Sequence, residues 1–233
     1  MKREWQERNQ GMIKYNGKMW EGAVFDLDGT ILDSMWIWES VDGRFLANHG
    51  LPVEESYLKA LTNMNFPQAA AYTKERYAMA ESEAAIMEEW YALARGMYEK
   101  EIGLKPHAAE YLEYLHRAGV KIAAATSSEP VLFEAALKNN GVYDYFHTFA
   151  LSSETPHGKD TPEVYCLAAK RLGTEPQRSI VFEDILKGIC NARQAGFYTV
   201  AVEDKSAAEE MEQIRAEADV YITDYRQMKE IEK

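Results

Sequence analysis

The feature that most constrains this chain is a repeated order of segments: an amphipathic stretch, a glycine, a short apolar run, a polar turn. Lys105-Pro106 opens one such stretch (AAEYLEYLHRA), which closes at Gly119. Proline is well tolerated in a helix's first turn, and glycine readily takes the left-handed position just past its end. Residues 120–125 (VKIAAA) follow, too short for a helix and read as a buried strand. The order recurs with Pro130 to Gly141 before residues 148–151, Pro162 to Gly173 before residues 179–182, and Leu186 to Gly196 before residues 197–202. A weaker strand is expected at 220–222. Apolar strands alternating with helices of roughly 10–15 residues make βαβ units, so the fold class is α/β with a parallel sheet covered on both faces.

The stretch from Ser34 to Leu104 breaks this order. Helix-like segments at 36–48, 54–62, 67–80 and 83–100 follow one another with no strand candidate between them. The predicted division is therefore a Rossmann-like core at 18–34 and 105–233, an inserted helical bundle at 35–104, and an N-terminal extension at 1–17 without assigned structure. The hinges fall near 34–36 and 102–105.

Composition removes several function classes. A hydrophobic content of 46% with 27% charged residues excludes disorder or a fibrous repeat as the main state. A net charge of −12 argues against nucleic acid as a partner, because phosphate backbones attract basic surfaces. No apolar run approaches the ~20 residues that span a bilayer, so no membrane association is expected. The first ten residues are polar and lack a signal-peptide core, which makes the cytoplasm the expected compartment. Cys166 and Cys190 sit in apolar helix-like stretches without metal-ligand spacing and are expected as buried thiols. No G-x-G-x-x-G or Walker A motif points to a nucleotide cofactor.

The chemistry-bearing residues lie where strands end. Residues 23–30 (AVFDLDGT) run from an apolar strand into Asp26 and Asp28, two residues apart. Alternate residues of an extended chain share a face, so both carboxylates point into one site. They repel each other unless a cation lies between them, and Mg²⁺, which favours carboxylate oxygen, suits that place. Taken alone, the pair is equally well read as an acidic turn closing a strand. The strand at 120–125 ends in Thr126-Ser127-Ser128, whose hydroxyls and N–H groups suit an anion, with Ser127 or Ser128 also expected to cap the next helix. Lys159 lies in a Gly-Lys-Asp-Thr-Pro turn, and the strand at 179–182 ends at Glu183-Asp184. In an open parallel sheet, ligands bind outside the carboxyl ends of the strands. Acids, a hydroxyl and a lysine gathered there suit phosphoryl transfer.

In order, DLDGT (26–30), ATSS (125–128), GKDTPEVY (158–165) and FEDILKG (182–188) resemble the motifs of the haloacid dehalogenase superfamily, in the branch holding β-phosphoglucomutase and small-molecule phosphatases. The resemblance covers about residues 20–222. It implies an HAD-like core with a helical cap and a Mg²⁺-dependent phosphatase acting on a small phosphate ester. Asp26 is then the nucleophile that forms an aspartyl-phosphate, and Asp28 the acid and base. The metal is held by Asp26, the Asp28 carbonyl and Asp184, with Glu183 assisting. Phosphate is bound by Thr126, Lys159 and N–H groups near Leu27, Asp28 and Ser127. Asp28 also separates the chain from true dehalogenases, which lack an acid there.

Three departures stand out: Asp160 follows Lys159 where the family has proline, Ile185 stands where the branch often has serine, and Trp38 stands where many relatives carry histidine. Residues 61–68 (LTNMNFPQ) lack the arginine with which β-phosphoglucomutase grips its sugar phosphate, which favours hydrolysis over a mutase reaction. Lys59, Lys74 and Arg76 are the remaining cationic candidates for a mutase grip or a phosphonatase Schiff base. A catalytically silent binder is the further alternative, and the intact acid pair speaks against it. Trp36, Trp38, Phe66, Tyr72 and Tyr91 are expected to be bundle core rather than pocket lining. A monomer or weak homodimer is expected.

Overall fold

In the computed structural model, the described residues are 11–61, 64 and 66–231. The polar segment 1–10, on which the compartment expectation rests, lies outside them, as do residues 62, 63 and 65 of the stretch without an arginine. The chain divides into two units, one running through Met35 and resuming at Ile102, the other spanning Trp36–Glu101.

The first unit is built on a six-stranded sheet. Its strands are β3 (Gly22–Phe25), β6 (Lys121–Thr126), β7 (Thr148–Leu151), β8 (Ser179–Glu183), β9 (Tyr198–Val202) and β10 (Val220–Ile222), in the order β10-β9-β8-β3-β6-β7 and parallel throughout. Every residue of β3 is buried, as a central parallel strand requires. Alternation sends its side chains to two cores. Val24 and Val181 join Val164, Tyr165, Ala168 and Leu172 of helix Glu163–Leu172 on one face. On the other, Phe25 stacks on Phe182 at 4.3 Å between centroids, and Tyr111 of helix Ala108–Arg117 meets Phe182 edge-on at 5.7 Å.

Residues 11–20, which run from the unassigned extension into the predicted start of the core at 18, form a hairpin. β1 (Ile13–Tyr15) pairs antiparallel with β2 (Lys18–Trp20) around Asn16-Gly17, both at positive φ, as a type I′ turn needs. Tyr15 and Trp20 are buried against Tyr198. A second antiparallel pair flanks the helical stretch, β4 (Leu32–Asp33) with β5 (Gly103–Leu104), and among the described residues no strand lies between the helices, as expected. These two-residue strands are too short to carry a sequence pattern. The thiol expectation is corrected. Cys190 is exposed and Cys166 only half-buried, because Ile189 and Ala192 face the core from Leu186–Gln194 and turn Cys190 outward.

The second unit consists of helices Ile37–Asn48, Glu55–Leu61, Phe66–Arg76 and Glu83–Lys100. The first and third each pack on the last. Ile37, Val41 and Phe45 repeat every four residues, as do Ile86, Trp90 and Ala94, so each pair of stripes shares one helix face. Ser82 caps the long helix by accepting the Ala85 N–H at 3.2 Å. The core expectation for the aromatic cluster is corrected: Trp36, Trp38 and Tyr91 are 38–43% exposed, while Phe45, Tyr57 and Trp90 fill the interior. Periodicity placed the stripe one helical position away from the residues that fill it. No helix among the described residues is long and apolar enough to cross a membrane.

Candidate active site

The site forms where β3 and β8 end side by side. Phe25 is in register with Phe182, which brings Asp26 level with Glu183 one residue further on. The Asp26 N–H donates to the Phe182 carbonyl at 2.9 Å, fixing the last rung. Oxygens of Asp26, Glu183 and Asp184, all buried, lie within 4.8 Å of one another.

Lys159 reaches this cluster from the Gly158–Asp160 turn. Its Nζ is 2.5 Å from Asp26 Oδ1 and 2.5 Å from Glu183 Oε1. Asn191 holds the turn by donating to the Lys159 carbonyl at 2.8 Å. Glu183 is engaged on both oxygens: Tyr165 donates its hydroxyl to Oε1 at 2.7 Å, and the Asp184 N–H donates to Oε2 at 2.9 Å. Such full engagement suits a group that aims Lys159 at Asp26. Gly188 lies against this pair, and a Cβ there would sit 2.6 Å from the Glu183 carboxyl and 2.7 Å from the Tyr165 oxygen.

Asp184 is held on one side only. Thr30 donates to its Oδ1 at 2.9 Å, while Oδ2 is buried without a partner. Gly29 at φ +81° gives Oδ2 its room, since a Cβ there would come within 2.3 Å of that oxygen. The loop is wound tightly around Leu27, whose carbonyl accepts N–H groups from Thr30, Ile31 and Leu32. Within it, Asp28 accepts the Ser34 hydroxyl on Oδ1 at 2.6 Å.

Charge makes this cluster uncomfortable without a cation. One lysine faces three buried carboxylates. Burial, opposed by Lys159 and reinforced by Glu183 and Asp28, pushes Asp26 up to about 7. Burial and then the carboxylates of Glu183 and Asp26 push Asp184 well above its ordinary range. For Lys159 burial acts against the charge, yet Asp26 and Glu183 outweigh it and raise the ammonium's pKa. An orphaned carboxylate oxygen beside two more acids, all oxygen donors, fits a hard divalent ion such as Mg²⁺.

On the neighbouring strand Thr126 ends β6, buried, with its Oγ1 accepting the Ser128 N–H at 3.0 Å and its hydroxyl hydrogen left to donate. Ser127 is exposed and shares a 2.7 Å hydrogen bond with Ser152. Neither serine caps the next helix, which starts at Pro130 with Glu129 before it. Pro130 sets the helix start later than the serines by fixing its own φ.

Thr30, Tyr165 and Asn191 enter the site unforeseen, while Ser34 makes the local hydrogen bond expected of it at the hinge. Thr30 and Tyr165 lay inside motifs already singled out, but nothing in a spacing says which hydroxyl will meet which carboxylate.

A family model described as haloacid dehalogenase-like hydrolase matches residues 23–202. The chain is 29% identical over 211 residues to validoxylamine A 7'-phosphate phosphatase of Streptomyces hygroscopicus subsp. limoneus, spanning 91% of this chain and 97% of that protein. It is 32% identical over 185 residues to hexitol phosphatase A of Escherichia coli, spanning 78% of this chain and 82% of that protein. Its fold matches a crystal structure described as a putative beta-phosphoglucomutase from Thermotoga maritima with a TM-score of 0.77 at 22% identity, covering 89% of this chain and 95% of that one.

Proposed function

The chain belongs to the haloacid dehalogenase-like hydrolase family, and from that premise we propose that it is a Mg²⁺-dependent phosphatase of a small phosphorylated metabolite. The observation that carries this reading is Asp26, a buried carboxylate at the end of the central strand with Lys159 at 2.5 Å. Relatives named validoxylamine A 7'-phosphate phosphatase and hexitol phosphatase A support it.

Asp26 attacks phosphorus, forming its own oxygen–phosphorus bond as the ester oxygen leaves. Asp28 gives that oxygen a proton, then takes one from the water that attacks the aspartyl-phosphate, releasing inorganic phosphate and freeing Asp26. Ser34 holds Asp28 in place for both transfers. Lys159, the Thr126 hydroxyl and the N–H groups of Leu27, Asp28 and Ser127 bind the phosphoryl oxygens, contacts typically worth ~3–4 kcal/mol each in the transition state. Asp26, the Asp28 carbonyl and Asp184 would hold Mg²⁺, with Glu183 assisting. The ion would supply positive charge to offset the negative charge on the phosphoryl oxygens.

The Trp36–Glu101 unit takes the part of a cap that excludes water. The reading further includes a cytoplasmic enzyme, monomeric or weakly dimeric. A mutase would need a second phosphate grip in that unit. There Arg76 is paired with Glu54 and Lys59 lies 2.6 Å from Glu55, while Lys74 has no ion-pair partner among the described residues, so the preference for hydrolysis rests on the relatives named as phosphatases.

The test is phosphate release from p-nitrophenyl phosphate and a panel of sugar, polyol and nucleotide phosphates, with and without Mg²⁺. Metal-dependent release, lost in Asp26→Asn, is expected. A folded, Mg²⁺-binding protein that releases phosphate from none of them would overturn the reading.

A further inference from the structure

The helical unit contains a cleft of about 270 Å³ whose walls include Trp38, Val41, Asp42, Phe66, Ala69 and Trp90. Three aromatic rings meet there at steep angles: Trp38 and Phe66 at 5.5 Å and 76°, Phe66 and Trp90 at 5.3 Å and 70°. Rings set edge to face turn their π-faces in different directions, so the walls present more than one face to an occupant. Trp38 is 38% exposed, so this aromatic surface is reachable rather than sealed in the core.

Asp42 is the acidic group among these walls. Among the described residues no hydrogen bond or ion pair engages its carboxylate. The charge that acts on it is that of Glu39, three residues earlier on the same helix, and it is repulsive. Burial, with that repulsion added, pushes Asp42 up to about 7, so the carboxylate is short of both solvent and a counter-charge.

The walls define what would complement them. An anion is repelled by Asp42 and Glu39. A polyol would bring several hydroxyls into a cleft that offers few polar partners, leaving the rest desolvated and unpaired. A cation on an apolar body satisfies the carboxylate and also gains from ring faces, which attract positive charge through their quadrupole. At about 270 Å³ the cleft is smaller than the ~300 Å³ at which drug-sized ligand sites begin, which limits the occupant to a small molecule or group.

We propose that this cleft binds a small organic cation, an ammonium group on an apolar body, with Asp42 as its counter-ion and the rings of Trp38, Phe66 and Trp90 as its walls. The site goes beyond the phosphatase reading and does not depend on it.

The test is isothermal titration of the full chain at pH 8 with choline, with its neutral isostere 3,3-dimethylbutan-1-ol, and with glucose. Choline is expected to bind saturably, and the isostere at least about fivefold more weakly. Asp42→Asn, a near-isosteric change that also removes an unfavourable charge, is expected to lower choline affinity at least about fivefold. Trp38→Ala is expected to weaken it as well. Glu39→Gln, which keeps the cleft, is expected to leave it within about twofold. Circular dichroism verifies that each variant is folded. Equal affinity for choline and its isostere, unchanged affinity in folded Asp42→Asn, glucose binding as tightly as choline, or no saturable heat with choline would each overturn the proposal.

Discussion

Thr30 donates its hydroxyl to one oxygen of Asp184 at 2.9 Å and leaves the other buried and without a partner. A carboxylate oriented on one side and unsatisfied on the other suits a ligand held ready for an ion, since hydrogen bonds to a ligating group set its direction. Mg²⁺ at about 100 times its dissociation constant is expected to stabilise the fold by about 2.7 kcal/mol. That corresponds to a rise in Tm of roughly 5–10 °C at pH 8. Thr30→Val is expected to weaken Mg²⁺ binding roughly tenfold. Calorimetric titration and thermal melts check both values.

The 2.6 Å bond from Ser34 to Asp28 makes a prediction about leaving groups. If Ser34 aims the proton that Asp28 donates, Ser34→Ala costs most where the leaving oxygen needs that proton. We expect kcat for an alkyl phosphate to fall about tenfold. With p-nitrophenyl phosphate, whose phenolate leaves unassisted, the fall is expected to be smaller. Equal losses on both esters would remove Ser34 from this role.

The two glycines that border the acids tolerate no side chain. Gly29→Ala combines a left-handed backbone at φ +81° with a Cβ 2.3 Å from Asp184 Oδ2. The expected result is a loss of about 1–3 kcal/mol in stability together with loss of Mg²⁺-dependent stabilisation. Gly188→Ala drives a Cβ into Glu183 and the Tyr165 hydroxyl, so Lys159 loses its support. Urea melts with and without Mg²⁺ separate the two effects.

Asp42 predicts a pH dependence. Burial and Glu39 raise it to about 7 in the folded chain, against an ordinary value of about 3.9. Between these values the folded state binds more protons than the unfolded one, so this group's contribution to stability falls as pH rises from about 4 to about 7, then levels off. Asp42→Asn removes that penalty. We expect the variant to be more stable than the parent by about 1 kcal/mol at pH 8, a value reduced by the carboxylate's remaining solvent contact. The difference should shrink towards zero below pH 5. Urea denaturation at the two pH values is the check.

Much of this was legible in the sequence, and the reasons differ by element. The parallel sheet was readable because its strands are apolar runs set between glycine-ended helices, and residues 148–151 and 220–222 were placed at their observed limits. Asp26, Lys159, Glu183 and Asp184 were readable as candidates because each lies at a strand end or in a turn, and the structure gathers them. The Asn16-Gly17 hairpin carries a turn signal, but its flanking strands of three residues each are too short to show a strand pattern. The packing inside the helical unit was not legible in detail. Trp38 and Trp90 are equally apolar, and only the rotation of each helix decides that one is exposed and the other buried. Tyr165 was likewise hidden, because a tyrosine on a core-facing stripe gives no sign that its hydroxyl meets Glu183.

The central claim, attack by Asp26 with Asp28 as proton carrier, is tested most directly by rapid-quench mass spectrometry of Asp28→Asn mixed with p-nitrophenyl phosphate and Mg²⁺. A good leaving group lets the first step proceed without an acid, while the second step lacks its base. The account predicts a burst of nitrophenolate equal to the enzyme, with one phosphoryl group on the peptide containing Asp26. Steady release of nitrophenolate and phosphate with Asp26 unmodified, or a phosphoryl group on another residue, would contradict it.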